Sequence, residues 1–220
     1  MTNSQDVAAT TSTSIHAQQG DAQPALILVN LGTPTAPEPG PVRAFLREFL
    51  SDRRVIEMSP LLWKPILEGI ILRVRPREVA AKYRSIWMEE GSPLMHYTRE
   101  QARRLGERLP GVRVEVAMRY GQPSIGSVLD CLHADGVRRV AILPAYPQYS
   151  ASTVTTINDA VAQWIGRNRD GFEMRLHRSF PAAPAYIEAL AIALERHWER
   201  VGRPNFLTGD RVVVSFHSIP

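Results

Sequence analysis

The feature that most constrains the fold is a rhythm: short apolar runs alternate with segments of helical period, beginning with ALILVNL at residues 25–31. A strand that is apolar at nearly every position suits burial on both faces, which is the situation in a parallel sheet covered by crossover helices. GTPTAPEPG at 32–40 then breaks the run into a loop. Further strands are expected at 112–120 (VRVEVAMRY), 138–146 (RRVAILPAY), 172–180 (FEMRLHRSF) and 211–216 (RVVVSF). Helices are expected at 41–51, 60–73, 76–88, 98–109, 123–136, 153–168 and 184–201, with Pro41 and Pro76 suited to first turns. The result is an α/β chain with several helices inserted between its first two strands.

Composition narrows the class. Hydrophobic residues at 44% and charged residues at 22% of 220 are values for a packed chain. The first residues, 1–23, read as a disordered tail rich in Ser, Thr, Ala and Gln. They lack the basic start and apolar run of a secretory signal. Asp6 and Asp21 lie there without a Lys or Arg, so the excess positive charge belongs to the remainder. A basic surface attracts nucleic acid, anionic lipid or an acidic small molecule, but no basic and aromatic repeat favours nucleic acid, and none is expected as a partner.

The longest apolar stretch, LLWKPILEGIIL at 61–72, is interrupted by Lys64, Pro65 and Glu68 and is too short to span a bilayer. Arg73, Arg75 and Arg77 follow it. Two readings stay open: an apolar lip with a basic margin, suited to a flat anionic ligand or a peripheral membrane contact, or a core helix with an exposed basic end. The single cysteine, Cys131, excludes an internal disulfide and cannot alone hold a zinc ion or an iron-sulfur cluster, and the expected compartment is the reducing cytoplasm.

The last expected strand delivers His217 to its carboxyl end, the edge where open parallel sheets carry ligands. The chain stops at Pro220 with no helix to cover that strand, which reads as a truncation. Taken by itself, His217 could equally cap a buried strand. Ser150, Ser152 and Thr153 crowd an expected helix N-terminus, where they could serve as caps or help to receive an anion. Glu89 and Glu90 read as a solvated charged turn. Phosphate-loop, dinucleotide-turn and nucleophile-elbow signatures are absent.

Five segments, in this order, resemble the ferrochelatase family: NLGTP (30–34), KYRSIWMEEGSPLMHYT (82–98), AMRYGQP (117–123), AYPQYSAST (145–153) and VVVSFHSIP (212–220). The resemblance implies two similar flavodoxin-like domains with parallel sheets around a cleft. The first would occupy 24–148, and 149–220 would be the N-terminal part of a second, incomplete domain. It implies insertion of Fe(II) into protoporphyrin IX to give protohaem, with His217 as metal-site and proton-accepting residue. Leu31, Tyr83, Ser92, Arg119, Tyr120, Tyr149, Ser150 and Ser152 would contact the substrate. Fe(II) is then a substrate and no cofactor is tightly bound. Some relatives place a cluster-binding cysteine after the serine of the Tyr-Pro-Gln-Tyr-Ser segment, where Ala151 stands here, so no iron-sulfur cluster is expected. The glutamate segment that completes the family's site has no counterpart in these residues, so the chain is expected to be a poorly stable, inactive monomer. Two rivals are a non-catalytic tetrapyrrole-binding fragment and a flavodoxin-like binder of a nucleotide or flavin.

Overall fold

The computed structural model describes residues 23–215. The expected tail, apart from Gln23, and the residues from Phe216 to Pro220, His217 among them, lie outside that range. Strand β1 (Ala25–Gly32) is the strand read from ALILVNL, with Ala25, Ile27, Leu28 and Val29 buried. Residues on both faces are covered, as near-continuous apolar character requires.

Helix α1 (Pro39–Ser51) follows, opened by proline in its first turn. The expected separate helices at 60–73 and 76–88 are instead consecutive: α2 (Pro60–Ile66), a π-helical turn (Leu67–Ile71) and α3 (Leu72–Ile86). A proline removes one hydrogen bond and crowds one carbonyl, but packing decides whether the helix ends. Leu67, Leu72, Pro76 and Ala80 keep one side of this long element buried through the irregularity. Helix α4 (Pro93–Arg108) packs on β1 and on β2 (Arg113–Tyr120).

The remaining elements are α5 (Ile125–Ala134), β3 (Arg139–Pro144), a π-helical turn (Ala151–Thr155), α6 (Thr156–Arg167), β4 (Glu173–Leu176) and α7 (Pro184–Val201). All strand pairs are parallel, in the order β2-β1-β3-β4. Among the described residues this is a single four-stranded sheet. Its principal core joins Ile27, Val29, Ala117 and Ile142 to Leu129 and Leu132 of α5 and to Ile157, Val161 and Trp164 of α6. The indole N–H of Trp164 donates to Asp130 at 2.7 Å, so a fully buried ring keeps its polar atom satisfied.

Two expected strands differ. The run 172–180 pairs only over Glu173–Leu176, since β4 is an edge with one neighbour. Residues 211–215 form no strand: Val212, Val213 and Val214 are 47%, 88% and 65% exposed, with no strand beside them to satisfy their backbone. Helix α7 buries no residue, and Ile187, Leu190 and Leu194 remain exposed. The sheet and its core continue beyond residue 148 through α6 and β4, because β4 hydrogen-bonds to β3.

The chain leaves β1 for β2 on one side, then crosses to β3 on the other. The direction reverses at β1, and open sheets of this kind form a ligand crevice beyond the carboxyl ends at such a reversal. Leu31, Arg119, Tyr120 and the 145–153 segment all belong to that edge.

Candidate functional site

At the end of β2 the alternation of side chains sends Met118 and Tyr120 inward, both fully buried, and leaves Arg119 partly exposed. The Tyr120 ring meets Phe49 of α1 edge-on at 5.1 Å. Its hydroxyl donates to Asp52 Oδ2 at 3.0 Å, and Arg119 Nη2 donates to the same oxygen at 2.5 Å. The guanidinium lies over the Tyr120 ring, 4.4 Å from its centre. Burial holds the Tyr120 phenol well above the ordinary tyrosine range, with the Asp52 carboxylate acting in the same direction and Arg119 against it. Tyr120 is therefore a neutral, packed residue whose hydroxyl is already used.

At the end of β1, Leu31 is half-buried, and its N–H is capped by the side chain of Asn30 at 2.8 Å. Asn30 in turn donates to Thr98 of α4 at 2.9 Å. Gly32 has φ +116° and pairs with Tyr120 across the ladder. Thr33 donates to Ser92 at 2.8 Å, and both are buried. This bond ties the loop after β1 to the start of α4. Ser92 also lines a cavity of about 540 Å³ with Trp87, Met95, Arg99 and Gln122.

Beyond β3 the segment turns into the helical element. Ser150 is buried and accepts the N–H of Ser152 through its side chain at 3.3 Å, which makes it the N-cap. Tyr149 is exposed, its hydroxyl 2.6 Å from that of Thr155 and its ring beneath the Arg178 guanidinium at 4.4 Å. Tyr146 was not among the residues singled out from the sequence, yet its hydroxyl is buried without a hydrogen-bond partner, and burial raises its pKa strongly.

These observations divide the expected residues. Arg119 and Tyr120 share Asp52, and Ser92 is joined to the loop after β1 through Thr33. Tyr149, Ser150 and Ser152 form a third group at the start of the element leading into α6. Tyr83 stands on α3 against Trp87, with ring centres 6.1 Å apart, and has no hydrogen bond to the other groups. Glu89 and Glu90 are exposed in the Met88–Gly91 turn, as expected. Asp52 was missed because the signal for it is slight: an acid at a helix end, 67 residues from the strand it serves.

A cavity of about 710 Å³ lies on the α4 side of the sheet between Leu28, Leu143, Arg104, Phe180 and Tyr186, and none of the expected site residues lines it. Among the described residues, no group of three or more His, Cys, Asp and Glu stands where it could hold a metal ion.

The sequence profile of the family described as Ferrochelatase matches residues 23–220. The chain belongs to the ferrochelatase family. It is 48% identical over 209 residues to the ferrochelatase of Methylibium petroleiphilum, covering 93% of this chain and 56% of that protein. The ferrochelatase of Stenotrophomonas maltophilia is 46% identical over 196 residues, 89% of this chain and 59% of its own. Ferrochelatase 1 of Shewanella oneidensis is 47% identical over 200 residues, 89% of this chain and 58% of its own. The chain thus spans less than two thirds of the length of these ferrochelatase relatives. Within the family segments, the serine of the Tyr-Pro-Gln-Tyr-Ser run is followed here by Ala151, which offers no thiolate.

Proposed function

We propose that the 220 residues bind a free-base tetrapyrrole at the carboxyl edge of the sheet without metallating it. In a full-length protein the same edge would serve insertion of Fe(II) into protoporphyrin IX to give protohaem. The observation that carries this reading is the gathering of Leu31, Arg119 and the Tyr149–Ser152 segment at one sheet edge, in a chain of the ferrochelatase family.

Insertion changes no redox state: the porphyrin loses two N–H protons as the divalent ion enters. Leu31 would lie against the macrocycle and Arg119 would pair with a propionate, its charge persisting at any working pH. Tyr120, with its hydroxyl on Asp52, would support Arg119 from behind. Tyr83, Ser92, Tyr149, Ser150 and Ser152 would border the ligand. His217 would accept a pyrrole proton or pass on the metal, since either ring nitrogen of a neutral imidazole can bind a proton or a divalent cation. The two-domain arrangement is part of the same proposal, with the second unit beginning after β4; no residue of α7 is fully buried.

Titrating the 220-residue chain and the full-length protein with protoporphyrin IX tests this directly. Both are expected to shift the porphyrin's Soret band saturably, and only the full-length protein to convert it to the iron complex. Lack of a Soret shift in either would refute the proposal, and flavin binding in its place would support the flavodoxin-like rival.

The reading extends to a membrane edge in the cytoplasm. Leu62, Ile70 and Val74 are 65%, 59% and 68% exposed on the α2–α3 element, with Arg73, Arg75 and Arg77 also exposed. No described helix is long and apolar enough to cross a membrane, so contact would be peripheral. Sedimentation with phosphatidylglycerol vesicles is expected to exceed that with phosphatidylcholine at least ~3-fold at low salt and to fall as salt screens the arginines. Equal partitioning would remove this surface from the proposal.

A further inference from the structure

Asp52 closes helix α1, where the negative end of the helix dipole disfavours a carboxylate. It is nevertheless only 10% exposed at its side chain, and one of its carboxylate oxygens is given over to two side chains at the end of β2. Oδ1 accepts the backbone N–H of Arg54 at 2.8 Å, and Oδ2 accepts both Arg119 Nη2 and the Tyr120 hydroxyl. The same last turn of α1 supplies Phe49 against the Tyr120 ring and Glu48, whose carboxylate accepts the Gly121 N–H at 2.8 Å. Three consecutive residues at the end of β2 are thereby gripped by one helical turn. Next to Asp52, Arg54 pairs bidentately with Asp159 of α6, which fixes the loop that follows α1.

Arg119 has little else to hold it. Its Nε is buried without a partner, and its only ion pair among the described residues is with Asp52. We infer that Asp52 is a positioning residue: it holds the Arg119 guanidinium over the Tyr120 ring so that the terminal N–H groups not used by Asp52 meet a carboxylate of the ligand. The inference rests on the proposed porphyrin site and adds a part that family membership does not assign. It also carries a sign. Without Arg119, Asp52 would be a nearly buried, uncompensated anion close to where the ligand's carboxylate arrives, so removing both should harm binding less than removing Arg119 alone.

The test compares protoporphyrin IX with its uncharged dimethyl ester in the full-length protein, using Asp52→Ala, Asp52→Asn, Arg119→Ala and the Asp52→Ala/Arg119→Ala double variant. Arg119→Ala and Asp52→Ala are expected to weaken diacid binding about tenfold or more while leaving the ester within about twofold of wild type. The double variant is expected to bind the diacid better than Arg119→Ala. Asp52→Asn keeps an acceptor but not the charge; it is expected to fall between wild type and Asp52→Ala, and it carries the test if the alanine variant does not fold. Wild-type diacid affinity in both Asp52 variants, with loss only in Arg119→Ala, would overturn the inference and leave the porphyrin site standing. An equal loss for diacid and ester would overturn it by showing a purely structural role. Absence of porphyrin binding in wild type, or an Arg119→Ala variant indistinguishable from it, would overturn the site reading and this inference together.

Discussion

Replacing Gly32 by alanine is expected to cost at least ~4 kcal/mol of stability, a large share of what holds a domain folded. Gly32 pairs with Tyr120 at the last rung between β1 and β2, at φ +116°. A Cβ there would lie 1.8 Å from the Tyr120 carbonyl oxygen and 2.8 Å from its carbonyl carbon, so neighbouring backbone, not a flexible side-chain tip, would have to move. Two costs combine: the conformation itself, about 1–3 kcal/mol for a non-glycine residue, and separation of the edge strand β2 from β1. Gly91→Ala is the control. It has φ +107° but no atom within 4 Å of the added Cβ, so only the first cost applies. Urea denaturation should show a midpoint for Gly32→Ala lower by about 2 M, with a much smaller change for Gly91→Ala. Equal losses would mean that the close approach to Tyr120 does not matter. The site should respond as well, because displacing Tyr120 disturbs the carboxylate it shares with Arg119.

The same glycine illustrates what can be read from residues alone. NLGTP marks the end of a buried strand, and β1 does end at Gly32, but the reason for glycine is a strand that adjoins it only in three dimensions. The apolar run of β1 and the parallel α/β architecture are legible because continuous burial leaves a local imprint. The fusion of α2 and α3 is not, since prolines are local signals whereas the buried face running from Leu67 to Ala80 is a tertiary fact. Residues 211–215 err in the opposite sense: valines favour strands, but a strand exists only beside a partner. The site follows the same division. Arg119 and Ser150 belong to recognisable segments, and Ser150 caps the following helical element as the clustered hydroxyls suggest. That Tyr120 faces inward follows from strand alternation with Met118 and could have been read from it. Asp52 could not, because its importance lies wholly in side chains 67 and 68 residues away.

His217→Ala in the full-length protein is expected to lower iron insertion by at least ~100-fold while leaving protoporphyrin affinity within about threefold of wild type. The asymmetry follows from the chemistry. Binding a flat, apolar dianion draws on surface contact and on cations such as Arg119, neither of which needs an imidazole. Insertion must remove two protons from nitrogen while a divalent cation approaches, and a group that is neutral near pH 7 can take up either species. Removing a positioned acceptor of this kind typically costs 10²–10⁴-fold in rate. The pH profile supplies a second reading of the same residue. If the imidazole must be unprotonated, wild-type insertion at saturating porphyrin should fall as pH drops through the histidine range, and the residual rate of His217→Ala should lose that limb. A variant that binds and metallates like wild type would remove His217 from the mechanism and leave this edge with porphyrin binding alone. A variant that loses binding and insertion in equal proportion would make His217 a determinant of affinity, with the proton acceptor to be sought elsewhere in the full-length protein.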